Sequence, residues 1–424
     1  MSFEVSRVLI LWLLAILAKV LAQLWLEHLN RRSVLAHARE LPPAFRGLID
    51  EATYDKSVRY TLANGRLRRV EFVYGAAVLA AVLFSGVLPR ALHGFRHALG
   101  GSAWSMAAFL FATALVLSLS ELPLDWYDQF RLEERFGFNT TTRKLWWLDR
   151  LKGVGLGLAL GYPLLWLLVK LFEWMGPAWW LWAWGTLLAF QLLLAVLAPV
   201  LILPLFNQFT PLPEGGLRRR LLALAARTRF RARSIQVMDG SRRSRHSNAF
   251  FTGFGRFRKI VLLDTLLQQL AEPEIEAVLA HEIGHFKKRH IPKSLAASAL
   301  GSLAAFYLLA LLARQAWFYQ PFGFAAGGIV PALLLFGLLS GLATFWLSPL
   351  AHWWSRRHEY QADAYAAQVM GQPGPLIAAL RQLNEKNLAN LTPHPLYSGF
   401  YYSHPTLLER ERALESLSGA NREV

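Results

Sequence analysis

The 424-residue chain has no cysteine, which excludes disulfides, iron–sulfur clusters, thiolate zinc sites and cysteine nucleophiles. Acidic side chains are also scarce, with 28 Asp and Glu against 45 Lys and Arg, a formal charge of +17. In a soluble protein that surplus would suggest nucleic acid. This chain, however, is 54% hydrophobic with 16 tryptophans and a mean hydropathy of +0.30, so the cations read as cytoplasmic loops facing anionic lipid. Membrane lipid is therefore the expected surround, and no nucleic-acid partner is expected. Internal repeats and low-complexity tracts are missing too, which argues against a solenoid or a linker-rich chain.

What the chain does have is long apolar runs. Seven stretches have the length and composition of membrane spans: Val8 to Leu26, Phe72 to Leu88, Ala103 to Leu119, Gly153 to Leu171, Trp179 to Leu203, Ala296 to Leu312 and Gly327 to Leu347. Val20-Leu21-Ala22 before Gln23 resembles a signal-peptide cleavage site, but the leader is barely basic and Lys19 interrupts the apolar run, so the first stretch reads as a retained helix. Lys19 and Gln23 lie one turn apart on one face, which is expected to look into a protein interior or polar chamber. Glu27 to Arg69 carries nine Lys or Arg and belongs in the cytoplasm. That choice puts the N-terminus outside and leaves poorly basic links external. Glu121 to Arg143, where aromatic and charged residues alternate, suits a helix lying at the interface.

Residues 207 to 290 are soluble in character. Leu217 to Arg229 reads as a basic amphipathic helix, Ser234 to Met238 as a strand, and Asn248 to Thr252 with Arg258 to Leu263 as a hairpin through Gly253-Phe254-Gly255. A helix beginning at Pro273-Glu274 then carries Ala280-His281-Glu282-Ile283-Gly284-His285. This is His-Glu-x-x-His. On a helix the two histidines fall about 40° apart, so both imidazoles reach one metal ion, while Glu282 stands beside it as a candidate general base. Two nitrogen ligands and a carboxylate near an attacking water are what a zinc hydrolase needs. The bland alternative is an amphipathic helix with two solvated histidines.

A third ligand decides between these readings. The pattern in which a histidine follows shortly after a glycine fails, because Lys288 and Ile291 occupy those two positions. His290, at i+9 from His281, is expected on the opposite side of the helix, as a solvated or interfacial histidine. A glutamate from a later helix remains. In Ser355-Arg-Arg-His-Glu-Tyr-Gln-Ala-Asp363, Glu359 and Asp363 share a face one turn apart, so Glu359 would bind the metal and Asp363 would accept a hydrogen bond from a ligating histidine. A solvated charged face is the competing reading. His358 is expected to pack elsewhere. After Pro349 the chain reads as a mostly polar tail with helices near His352 to Met370, Pro375 to Leu388 and Thr406 to Leu417. The domains expected are 1–206 with five spans, 207–290 catalytic, 291–350 with two spans, and a C-terminal segment 351–424 that completes the metal site.

Taken with Glu133-Glu-Arg-Phe-Gly-Phe-Asn139 and Thr142, Pro204-Leu-Phe-Asn207, Ser247-Asn-Ala-Phe250, Asp264-Thr-Leu266 and Tyr402-Ser-His-Pro405, these motifs run in the order of a known family. The chain resembles the type I CAAX prenyl endopeptidases, integral-membrane zinc proteases of the gluzincin type. The resemblance implies an all-α polytopic membrane protein. Its seven transmembrane helices would form a barrel around a water-filled chamber, closed on the cytoplasmic side by a zincin-like domain carrying a small β-hairpin or sheet. It implies one zinc ion on His281, His285 and Glu359, with Glu282 as general base. It makes Asn248 and Ala249 part of an edge strand that pairs with extended substrate, and puts His404 near the site, steadying the oxyanion. Asn248 as a mere hairpin residue and His404 as a turn residue before Pro405 are the alternatives.

Peptide hydrolysis is the expected reaction, on a peptide or protein substrate that is membrane-bound or lipidated, with the enzyme a monomer. Compact loops and the lack of cysteine suit a bacterial member in the inner membrane. A heat-shock-type membrane quality-control protease is the rival within proteases, and a non-catalytic transporter or lipid-binding chamber is the rival from another class.

Overall fold

The structure is a computed structural model that describes residues 3–47, 49–230, 234–247, 249–252 and 259–420. The chain opens with α1 (Phe3–His37), α2 (Glu51–Phe84) and α3 (Val87–Leu99). Three long helices follow, α4 (Ala103–Phe136), α5 (Arg143–Trp174) and α6 (Gly176–Phe206). The polar part comprises β1 (Phe209–Pro211), α7 (Gly216–Arg227), β2 (Ser234–Met238), β3 (Ala249–Thr252), β4 (Lys259–Leu263), α8 (Asp264–Gln269) and α9 (Glu272–Lys287). The chain ends with α10 (His290–Leu312), α11 (Ile329–Met370), α12 (Gly374–Lys386), α13 (Pro395–Tyr401) and α14 (Leu407–Ala420). Helices α1, α4, α5, α6, α10 and α11 are each long and apolar enough to cross a membrane. The pair α2 and α3, bent by 56°, makes a seventh span when counted as one. This is a multi-pass membrane protein.

Four local expectations need correcting. The second span, expected to run to Leu88, stops at Phe84: Gly86, at φ +70°, breaks it, and the chain restarts as α3 with Leu88 and Leu92 buried one turn apart. The alternating stretch after Leu119 is no separate interfacial helix, because α4 runs on to Phe136 through a wide turn at Asp128–Glu133. Several of its aromatic residues pack on protein, although Tyr127 is 52% exposed: Trp126 meets Trp146 edge-on at 5.4 Å, and Leu132 and Phe136 are buried against Phe138 and Leu67. Helix α11 continues through Pro349 for 42 residues. A proline there removes a hydrogen bond and costs about 3 kcal/mol, but α13 grips both sides of it, with Phe345 4.8 Å from Phe400 and the His352 Nδ1 2.6 Å from the Phe400 carbonyl. The fourth correction concerns His290 and belongs to the site below.

The sheet has the order β1-β2-β4-β3, with β2 and β4 parallel and both outer pairs antiparallel. Strand β1, only three residues ending in Pro211, was hidden in a stretch rich in helix stoppers. An edge strand is where a proline is tolerated. The β3–β4 pairing agrees with the expected hairpin, whose turn lies outside the described residues.

Two large cores, besides the small cluster around Phe136, hold the described residues together. In the polar half, Ile275, Leu279 and Ile283 of α9 are at most 2% exposed and pack with Leu221 and Leu224 of α7, Ile260 and Leu262 of β4, and Ala366 of α11. Each such side chain contributes about 2 kcal/mol of burial. The other core joins α1 to α6 with α10 and α11. Lys19 turns inward as expected, donating to the Gly341 carbonyl of α11 at 3.1 Å. A pocket of about 410 Å³ between α2, α4 and α11 is lined by Glu71, Glu121 and Asp125 together with Val78, Leu79, Val82 and Leu117, so charged and apolar side chains share it.

Candidate metal centre

Helix α9 starts where its sequence dictates. Pro273 occupies the first turn, and Glu274 Oε2 accepts from the Ala271 amide at 2.8 Å. The helix then crosses α11 at Gly284, where an added Cβ would lie 3.0 Å from both the Ala362 Cα and the Ala362 carbonyl oxygen. That close approach brings together four side chains separated by some eighty residues of chain. His281 and His285 project from α9, and Glu359 and Asp363 from the facing turn of α11.

The two Nε2 atoms are 3.1 Å apart. Glu359 Oε2 is 3.5 Å from His281 Nε2, and its Oε1 is 3.2 Å from His285 Nε2. One ligand atom from each residue fits within 4.8 Å of the others. The Glu359 carboxylate is 3% exposed, and its Oε2 has no well-directed hydrogen bond, although His404 Nδ1 comes to 2.8 Å and Arg410 Nη1 to 3.8 Å. A buried carboxylate with one oxygen lacking a well-directed hydrogen bond, beside two imidazole nitrogens, is a donor set that fits one metal cation.

The electrostatics agree with this. Burial works against the His281 imidazolium, but the hydrogen bonds to Asp363 and Glu359 outweigh it and push the pKa up to about 9. The negative field that favours a proton there also favours a metal ion. Burial raises the Glu282 carboxyl against the opposing influence of His281 and His285, which suits a group that takes up and returns a proton.

Around these residues lies a second layer. Asp363, 1% exposed, is 2.8 Å from His281 Nδ1 and takes two bonds from Arg410, Nε at 2.8 Å and Nη2 at 2.5 Å. The sequence offered no signal for Arg410, which lies on α14 in the charged run Glu409 to Arg412 and is buried, with Glu411, by tertiary packing. His290 is where the sequence reading departs most from the structure. Instead of being solvated or interfacial it is 3% exposed, with Nδ1 2.9 Å from His285 Nδ1 and Nε2 3.0 Å from Gln361 Oε1. The straight-helix argument fails because Arg289, at φ +56°, ends α9 and restarts the chain as α10 in a new direction. His358 does pack away from the ligand cluster, stacked on His290 at 4.0 Å.

His404 Nδ1 lies 2.8 Å from Glu359 Oε2, and its side chain is 64% exposed. Ala249 pairs with Leu262, β3 is an edge strand, and β3 contacts α9. Asn248 lies outside the described residues. Just before it, His246 Nε2 is 3.2 Å from Glu133 Oε2 and its Nδ1 is 3.1 Å from Asn387 Oδ1. The ring stacks on Phe138 at 4.0 Å, which fastens the segment leading into the edge strand to the end of α4.

Residues 30–208 match the family described as the CAAX prenyl protease N-terminal region with five membrane helices, and residues 211–418 match peptidase family M48. The chain is 38% identical over 415 residues to CAAX prenyl protease 1 of Saccharomyces cerevisiae, covering 89% of each chain. It is 30% identical over 438 residues to the CAAX prenyl protease 1 homolog of Homo sapiens, covering 92% of this chain and 91% of that one. The crystal structure of S. mikatae Ste24p superposes with a TM-score of 0.86 at 37% identity, covering 95% of this chain and 98% of that one.

Proposed function

This chain belongs to the M48 peptidase family and is a membrane metalloendopeptidase, and on that footing we propose that it is a zinc enzyme that trims C-terminal CAAX tripeptides from prenylated proteins. The observation that carries the reading is the convergence of His281, His285 and Glu359 on one point, with Glu282 beside it. Two imidazoles and one carboxylate suit zinc. Zinc bound there supplies a Lewis acid that polarises the scissile carbonyl and acidifies an attacking water.

The remaining work falls to the chain itself. Glu282 takes the proton of the attacking water and returns it to the leaving amine. Asp363 holds the His281 Nδ1–H so that its Nε2 faces the ion. His404 donates toward the oxyanion. Ala249, on the open edge of β3, and Asn248, which precedes it in sequence, bind the substrate as an added strand, with main-chain hydrogen bonds holding it extended. The enzyme acts as a monomer in a bacterial inner membrane, N-terminus outside, with residues 207–290 and 351–424 forming the catalytic part on the cytoplasmic face against spans in 1–206 and 291–350. Lipidated substrates enter from the bilayer.

The test is mass spectrometry of products from prenylated and unprenylated peptides, with Glu282→Ala and Glu359→Ala as controls. Glu282→Ala is expected to retain zinc by elemental analysis and lose cleavage, and Glu359→Ala to lose zinc. Turnover by Glu282→Ala would refute its role, full zinc content in Glu359→Ala would refute that ligand, and equal cleavage of unprenylated peptide would refute the substrate.

A further inference from the structure

The two histidine ligands are backed differently. His281 has a carboxylate behind it, Asp363, itself clamped by Arg410. Among the described residues, His285 has no carboxylate at its Nδ1; what stands there is His290, Nδ1 to Nδ1 at 2.9 Å. Resting on the reading of His285 as a metal ligand through Nε2, we propose that His290 is the positioning residue that fixes the tautomer and ring orientation of His285, with Gln361 behind it setting the tautomer of His290.

The hydrogen-bond inventory leaves one arrangement. An imidazole that gives its Nε2 lone pair to a metal carries its proton on Nδ1 and must donate it. The group facing that proton is His290 Nδ1, which therefore accepts, so His290 carries its own proton on Nε2. That proton points to Gln361 Oε1 at 3.0 Å, an acceptor that cannot donate back. The stacking partner is consistent with a neutral His290. His358 lies parallel to it at 4.0 Å with an 8° tilt, and His358 Nε2 accepts from Trp354 Nε1 at 2.6 Å, so that partner ring is neutral. The chain strains to place His290 there. Arg289 takes a left-handed conformation that few non-glycine residues adopt, and the new helix begins on His290 itself. As the first residue of α10, His290 also ties that span to the metal centre.

The test measures metal affinity, by chelator competition on the purified full-length protein in detergent, beside the thermal unfolding of each metal-stripped variant. Outer partners of ligating histidines alter metal affinity about 10–100-fold, and that loss is expected for His290→Leu, which keeps bulk but has no acceptor. His290→Asn carries a carbonyl oxygen close to where Nδ1 stood and should restore affinity nearly to wild type. Unchanged affinity in His290→Leu, or His290→Asn as weak as His290→Leu, overturns the proposal in favour of simple packing. If His290→Leu does not fold, Gln361→Leu decides: a several-fold loss of affinity supports the relay, and none overturns it. Wild-type protein that binds no metal, or Glu359→Ala that binds it fully, would instead refute the metal centre itself.

Discussion

Replacing Asp363 by leucine should damage this protein in two separable ways. Asp363 is 1% exposed and holds Arg410, 9% exposed, by two bonds. Without it a guanidinium stays buried with no carboxylate bonded to it, Glu359 at 3.8 Å and Glu282 being the remaining anions that act on it. Removing one partner of a buried pair costs about 3–5 kcal/mol, because the other charge is left uncompensated, and that is a large part of a typical stability of about 5–15 kcal/mol. Removing both partners is often close to neutral. Asp363→Leu is therefore expected to lower the unfolding midpoint of the metal-stripped protein sharply, and adding Arg410→Met should recover most of the loss. Metal affinity should behave differently. The His281 Nδ1 loses its acceptor in both variants, so each should bind metal about 10–100-fold more weakly. Denaturant unfolding in detergent and chelator competition read the two effects independently. A double variant as unstable as the single one would show that Arg410 is not held by this pair. A double variant with wild-type metal affinity would show that Asp363 does not act through His281.

Two further predictions follow from the geometry. Gly284→Ala places a methyl 3.0 Å from the Ala362 backbone, which cannot swing aside as a side chain can. The helices must part, costing about 1–3 kcal/mol and weakening metal binding by opening the ligand triangle; unchanged affinity and midpoint would mean the crossing is slack. For His246, burial opposes the imidazolium but the hydrogen bonds to Glu133 and Asn387 outweigh it, so its pKa is raised. The linked stability is full below the ordinary histidine value of about 6.5 and fades as pH rises through the raised one. Tyr60 donates to the other oxygen of Glu133 at 2.5 Å and helps hold that carboxylate. The unfolding midpoint of wild type should fall across that window and that of His246→Gln should not; parallel curves would contradict the assignment.

Much of the architecture was legible because it rests on local rules. Seven apolar runs set the spans, since a bilayer demands length and hydropathy that no tertiary contact supplies. The spacing of His281, Glu282 and His285 and the one-turn interval from Glu359 to Asp363 were readable because helical periodicity is a local property. Where the reading failed, a local rule met a contact from far along the chain. Leu88 and Leu92 make α3 an amphipathic helix after a glycine break, α13 carries α11 through Pro349, and protein neighbours claim several of the aromatic residues of α4 that composition assigned to the membrane surface.

By itself the sequence determined that this is a polytopic membrane protein with a helical two-histidine metal motif and a later acidic partner, because each of those is written in composition or in the period of a single helix. Only the tertiary structure decided how the site is held. The crossing at Gly284, the burial of Arg410 against Asp363 and the turning of His290 onto His285 each depend on where one element stops and another passes. A single left-handed residue, Arg289, moved His290 from the expected opposite side of the helix to the back of a metal ligand, and no periodicity calculation on a continuous helix could have put it there.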